Sequence, residues 1–191
     1  MLIYCSFLVK KNKWYKVVQS GLKCLILYQI IIICGKMSAH LIGVYACKLD
    51  VKSRLMLPKA FKKQLLSSLE DPFILKRSVF HTCLELFPMS EWNKVVVDIN
   101  KLNRFVKKNN DFIRMFTAGV KLVQLDNTGR LLLPQDLQLY ANIKKNVVLS
   151  SSANMIEIWD QVSYESIIDD GNVDFATLAE DVMGSKDLAD E

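Results

Sequence analysis

The chain is poor in the residues on which small secreted folds, metal sites and most enzymes depend. Its 191 residues hold five cysteines, an odd number, with Cys5, Cys24 and Cys34 crowded into the first 36 positions and only Cys47 and Cys83 beyond them. No paired framework suggests itself, which favours a reducing compartment. No C-x-x-C occurs, and the one metal-like grouping, His81 with Cys83, lacks a second pair of ligands, so no metal is expected. There are two histidines, no G-x-S-x-G and no phosphate-binding glycine loop, and the carboxylates are not gathered by any motif. Catalytic residues, cofactor and small-molecule substrate are therefore all absent from the expectation, and the chain reads as a non-enzyme. No long hydrophobic run is present either. The longest, Cys24 to Cys34, is about half of the ~20 residues a helix needs to cross a bilayer, and widening it takes in Lys23 and Ser20.

What is present is a large apolar fraction, 51%, enough for a hydrophobic core in one compact domain or two small modules. The formal charge of +5 conceals three segments. Residues 1–36 carry six lysines and no acid, and residues 169–191 carry eight acids against Lys186. Composition changes abruptly at Met37. The reading adopted is that residues 1–36 are a non-family extension with Met37 as the natural start, and that 169–191 form an acidic, mobile tail with little apolar periodicity. A rival reading takes the apolar run at its face value, as the anchor of a membrane-tethered protein-binding module.

Self-similarity organises everything between those ends. At an offset of 76, Leu49-Asp50-Val51-Lys52-Ser53-Arg54-Leu55-Met56-Leu57-Pro58 aligns with Leu125-Asp126-Asn127-Thr128-Gly129-Arg130-Leu131-Leu132-Leu133-Pro134. At slightly smaller offsets Phe73-Ile74-Leu75 matches Val147-Val148-Leu149, and Cys83 to Phe87 matches Met155 to Trp159. Each copy has one plan. A strand enters an Asp-x-x-x-Arg turn, a second strand ends at a proline, a short helix starts there, and a two-strand hairpin closes the unit. Glu85 and Glu157 alternate with apolar neighbours and should face solvent or a partner. Between the copies, Trp92, Val95, Val96, Ile99, Leu102 and Val106 describe one amphipathic helix ending near Asn109-Asn110-Asp111, with Lys107-Lys108 at its negative end. Val162 to Ile168 should form a last short helix. A unit of about 50 residues buries too little surface alone, so two copies should share one core as a pseudo-symmetric barrel. The class is α+β and β-rich.

The doubled Leu-Asp-x-x-x-Arg-Leu-x-Leu-Pro pattern, with Phe87-Pro88-x-x-Glu91-Trp92 after the first copy, resembles the MraZ family of bacterial transcriptional regulators over about Leu41 to Ile168. The resemblance implies two tandem SpoVT-AbrB modules, 44–91 and 120–163, joined by a helical linker, 92–119. It implies a swapped-hairpin, double-ψ-like barrel, a homo-oligomeric ring, and repression through double-stranded DNA, at short direct repeats in the promoter upstream of its own gene in the division and cell-wall cluster. The implied location is the cytoplasm, at the nucleoid. An antitoxin of the same fold is less apt, because those chains usually carry one module.

In such a loop the Asp should fasten the turn and hold the Arg outward, where its planar fork suits a phosphate or the O6/N7 edge of guanine. Asp50, Asp126 and Gly129 are accordingly expected to structure the loops, and Lys48, Lys52, Arg54 and Arg130 to meet DNA. The alternative is that each Arg merely ties its own turn to its Asp. The first copy holds the basic excess, which points to Lys52 and Arg54 as the DNA readers and leaves Arg130 equally suited to a contact within the pseudo-dimer or between subunits. Ser53 stands where the family usually has Gly, at a cost of roughly 1 kcal/mol if the turn needs positive φ. Lys59, Lys62 and Lys63 fall on the first helix and could touch phosphates, but a solvated helix face is the more common arrangement and is the first reading.

Overall fold

The computed structural model describes residues 40–65, 69, 71–169 and 174–184, together with two short strands near the N-terminus. The chain falls into two units, Met1–Ser38 and Ala39–Glu191. In the first, β1 (Leu8–Lys10) and β2 (Lys13–Tyr15) pair antiparallel. The apolar run from Cys24 and the expected start at Met37 lie outside the described residues.

The second unit follows the order that the repeat predicts. The first copy contributes β3 (Val44–Lys48), β4 (Arg54–Met56), α1 (Lys59–Gln64), β5 (Phe73–Arg77) and β6 (Leu84–Pro88). The linker holds α2 (Met89–Asn100) and α3 (Lys107–Thr117). The second copy contributes β7 (Lys121–Val123), β8 (Arg130–Leu132), α4 (Gln135–Tyr140), β9 (Asn146–Ser152) and β10 (Met155–Asp160), followed by α5 (Gln161–Ile168) and α6 (Phe175–Gly184). Pro58 and Pro134 each sit one residue ahead of a helix in extended conformation. Their fixed φ suits that place, and their missing N–H costs nothing there.

A six-stranded antiparallel sheet runs β3-β9-β10-β6-β5-β7, and a second sheet pairs β4 with β8. Exchanging the copies reverses the first order and leaves it unchanged. Each copy's first strand lies against the other copy's hairpin, β3 on β9 and β7 on β5. Single bridges, Leu49↔Leu55 and Leu125↔Leu131, carry the pairing from β3 to β4 and from β7 to β8, so the circuit of paired backbone closes on itself. Leu55↔Leu131 and Glu85↔Glu157 face their own equivalents across the pseudo-two-fold.

The inner face is one core drawn from both copies: Leu55, Leu57, Phe61, Leu75 and Leu86 with Leu131, Leu133, Leu137, Leu149 and Ile158. The outer face carries two smaller clusters at equivalent places. Ile74, Phe87 and Trp92 lie under the linker helices, with Trp92 stacked on Phe116 at 6.0 Å, and Val148 and Trp159 lie under Tyr164 of α5.

Three expectations need correction. The linker is two helices, not one ending at Asn109 to Asp111. The Asn103 side chain accepts from the Phe105 amide, and Asn109 donates to the Asn103 carbonyl, a local pattern that competes with helix continuation and restarts the chain at Lys107. Lys107 and Lys108 therefore stand in the first turn of α3, at the positive end of its dipole. The tail, expected to be mobile with little apolar periodicity, holds a helix, α6, at whose start Asp174 receives the Ala176 amide. Finally, Glu85 is not solvated. The helical linker covers its face of the sheet, and its carboxylate meets Lys76 Nζ at 2.7 Å, with both side chains at least nine-tenths buried.

Candidate nucleic-acid interface

Pairing β4 with β8 brings the two Asp-x-x-x-Arg loops side by side. Their backbones are alike. Each Asp amide donates to the carbonyl of its Arg, and the residue before the Arg returns its amide to the Asp carbonyl. Gly129 has φ +74° and Ser53 φ +58°, so Ser53 adopts the left-handed conformation that glycine takes in the second copy. The loops are also stitched to each other, because Leu57 N–H donates to the Gly129 carbonyl and Leu133 N–H to the Ser53 carbonyl.

The carboxylates fasten the turns. Asp50 Oδ1 accepts from the amides of Lys52 and Arg54 at 2.8 and 2.9 Å. Asp126 Oδ1 accepts from the amides of Thr128 and Arg130 and from the Thr128 hydroxyl. These bonds favour the ionised form. The Arg54 amide leads in holding Asp50 below its ordinary range, and the Thr128 hydroxyl leads in bringing Asp126 to about 2.

The arginines depart from the expectation that both are held outward. Arg54 folds back and grips Asp50 with Nε and Nη2, each 2.8 Å from Oδ2. That is the turn-tying arrangement, found in the copy where charge distribution argued against it. Arg130 makes no such pair with Asp126 and reaches across to Asp50 Oδ2 at 3.6 Å, while Arg54 Nη1 lies 3.8 Å from Asp126. Two carboxylates close together draw both guanidiniums inward. The four side chains form a neutral quartet on the pseudo-two-fold, with Arg54 and Arg130 still 31% and 36% exposed.

Lys52 is exposed beside the quartet, and Lys48 is exposed at the end of β3. Lys62, read first as part of a solvated helix face, is only partly exposed. A Cβ built on Gly129 would run into its ammonium, so this lysine of α1 lies across the second copy's loop. Only the cross-copy pairing of β4 and β8 brings it there, which the spacing of the helix could not signal. The place equivalent to Lys62 is Gln138, which lines an open groove of about 430 Å³ beside Ser53. Among the described residues no cluster of His, Cys, Asp and Glu could hold a metal. Cys83 is buried, and burial chiefly pushes its thiol up to about 12, which suits packing rather than ligation.

A family model for the MraZ protein matches the chain twice, over residues 41–115 and 115–185. The transcriptional regulator MraZ of Flavobacterium psychrophilum is 60% identical over 145 residues, covering 76% of this chain and 92% of that protein. That of Christiangramia forsetii is 57% identical over 149 residues, 78% and 96% of the two chains. That of Clostridium tetani is 36% identical over 139 residues, 73% and 94%.

Proposed function

Because this chain belongs to the MraZ family, we propose that it is a DNA-binding transcriptional regulator acting as a repressor. It binds short direct repeats upstream of its own gene, in the division and cell-wall cluster, as a homo-oligomeric ring at the nucleoid in the cytoplasm. The closed circuit of strand pairing and the exchange of first strands support a swapped-hairpin, double-ψ-like barrel as its scaffold.

The observation that carries this reading is the juxtaposition of the two loops. Arg54 and Arg130 converge on one tip, held by β4 and β8, with Lys52 exposed in the first turn beside them. In the free chain the guanidiniums rest on Asp50 and Asp126. On DNA they exchange a carboxylate for a phosphate or for the O6/N7 edge of guanine, a trade between anions that leaves each fork satisfied. Such an exchange is weak at one tip, since each bidentate base contact contributes about 1–3 kcal/mol, and a ring multiplies it over successive repeats.

A gel shift with the upstream DNA tests this at physiological salt. Arg54→Ala abolishes binding while light scattering reports an unchanged assembly. Retention of full affinity by both Arg54→Ala and Arg130→Ala would refute the loops as the DNA-contacting surface. Among the described residues no helix is long and apolar enough to cross a membrane, and the apolar run on which the membrane-tethered reading rests lies outside them.

A further inference from the structure

We propose that Lys62 is a phosphate-binding residue of the second loop, so that the helix of one copy completes the DNA contact of the other. This inference rests on the DNA-binding reading above. The local geometry begins with the antiparallel register Met56↔Arg130, which sets the end of β4 against the start of β8. Leu57 N–H donates to the Gly129 carbonyl at 3.2 Å, Pro58 follows, and α1 starts at once beside a loop roughly 70 residues further along the chain. Helical side chains lean back towards the N-terminus of their helix. Lys62 so leans across Gly129, and among the described residues the hydrogen-bond partner of its ammonium is the Met56 sulfur, at 3.6 Å. A thioether is a weak acceptor, and among the described residues no carboxylate lies within ion-pairing distance of Lys62. The charge is held in place but not neutralised.

The repeat alignment explains why this lysine matters. Position 52 in the first loop is Lys, and its equivalent in the second is Thr128, whose hydroxyl is committed to Asp126. Position 62 is Lys, and its equivalent is Gln138, whose amide is committed to the Leu133 carbonyl at 2.6 Å. Each loop therefore has one arginine and one lysine at hand, Lys52 and Arg54 at the first, Lys62 and Arg130 at the second. Both lysines come from the first copy. The quartet of Asp50, Arg54, Asp126 and Arg130 sums to zero, so the positive potential of the tip depends on the two lysines. An ammonium is a point charge without the fork that reads bases, which assigns Lys62 to the DNA backbone rather than to sequence.

The alternative is that Lys62 serves only the last turn of α1, where a cation suits the helix dipole. Lys62→Gln in the full chain separates the two. Binding is titrated from 50 to 200 mM salt on the upstream duplex and on a shuffled duplex of equal length. If Lys62 binds a phosphate, its replacement makes the log–log salt slope shallower by about 0.9 per engaged chain. It also weakens both duplexes by the same factor, with Lys62→Arg restoring the slope. In the converse variant, Gln138→Lys steepens the slope by a similar amount at the first loop. A changed thermal midpoint with an unchanged slope in Lys62→Gln, while Arg54→Ala still abolishes binding, overturns this inference and leaves the DNA reading intact. Failure of the unaltered chain to bind the upstream duplex overturns both.

Discussion

Arg54 and Arg130 occupy equivalent places in a repeat and do unequal work, and the difference lies in their neighbours. Asp50 takes Arg54 by two nitrogens on Oδ2, whereas Asp126 takes the Thr128 hydroxyl and two amides on Oδ1 and Arg130 reaches across the pseudo-two-fold to Asp50. The motif was legible in the sequence residue by residue, but the direction of each guanidinium was not, because it is set by the other copy. Asp126, held at about 2 against an ordinary 3.8, gives a pH test. A carboxylate with a depressed native pKa contributes stability that is present above its unfolded value and is lost as pH falls through the native one. The gap in thermal midpoint between the unaltered chain and Asp126→Asn should be constant above pH ~5 and close between pH ~4 and ~2, following the two values. A gap that persists at pH ~2 would place the worth of Asp126 outside its charge. Gly129 gives a second test, since any side chain there is forced to positive φ beneath Lys62. Gly129→Ala should cost about 1 kcal/mol in urea unfolding, and Ser53→Gly should recover up to a similar amount in the first loop.

At the scale of elements, the strands, their prolines and the short helices could be read from spacing, because alternation and the proline ends are local signals. The linker could not. Three- and four-residue spacing runs unbroken from Trp92 to Val106, and the interruption at Asn103 is made by side-chain bonds that periodicity does not record. Glu85 was also illegible. A charged residue in an alternating strand reads as solvent-facing, yet β6 is covered on both sides and Lys76 on β5 meets it, with the Lys76 ammonium over the Phe116 ring at 4.4 Å. In the second copy Ser150 stands opposite Glu157, which accepts from the Trp159 indole instead. Removing one partner of a buried pair strands the other charge, so Lys76→Ala should cost about 3–5 kcal/mol. Replacing both by apolar residues of similar volume removes the desolvation problem altogether. Lys76→Met with Glu85→Leu should therefore unfold at higher urea than either single change. If the double variant were weaker than both, Glu85 would owe its place to something other than Lys76.

At the scale of the whole molecule, the duplication predicts a shared core, and the strand order states how it is shared. Leu55 of one copy packs at the axis against Leu131 of the other, and among the described residues β3 finds its strand-length partner in β9, about a hundred residues away. Neither copy owns a complete sheet, since taking away the second leaves β3 and β4 without their ladders and β5 without the outer partner β7. The inner faces of Leu57, Phe61, Leu75 and Leu86 would then open to water, and each buried leucine or phenylalanine contributes roughly 1.5–3 kcal/mol. Losses of that size over several side chains exceed the ~5–15 kcal/mol by which a domain is stable. Residues 39–118 and 119–191, produced separately, should each lack the dispersed amide resonances of a folded chain in solution NMR. Mixed at equal concentration, they should recover them together, because β3 and β9 can pair in trans as they do in one chain. A monomeric, folded 39–118 would contradict the shared core directly. Recovery blocked by Leu131→Asp in the 119–191 fragment alone would locate the union at the β4–β8 crossing, the same crossing that sets the two loops side by side.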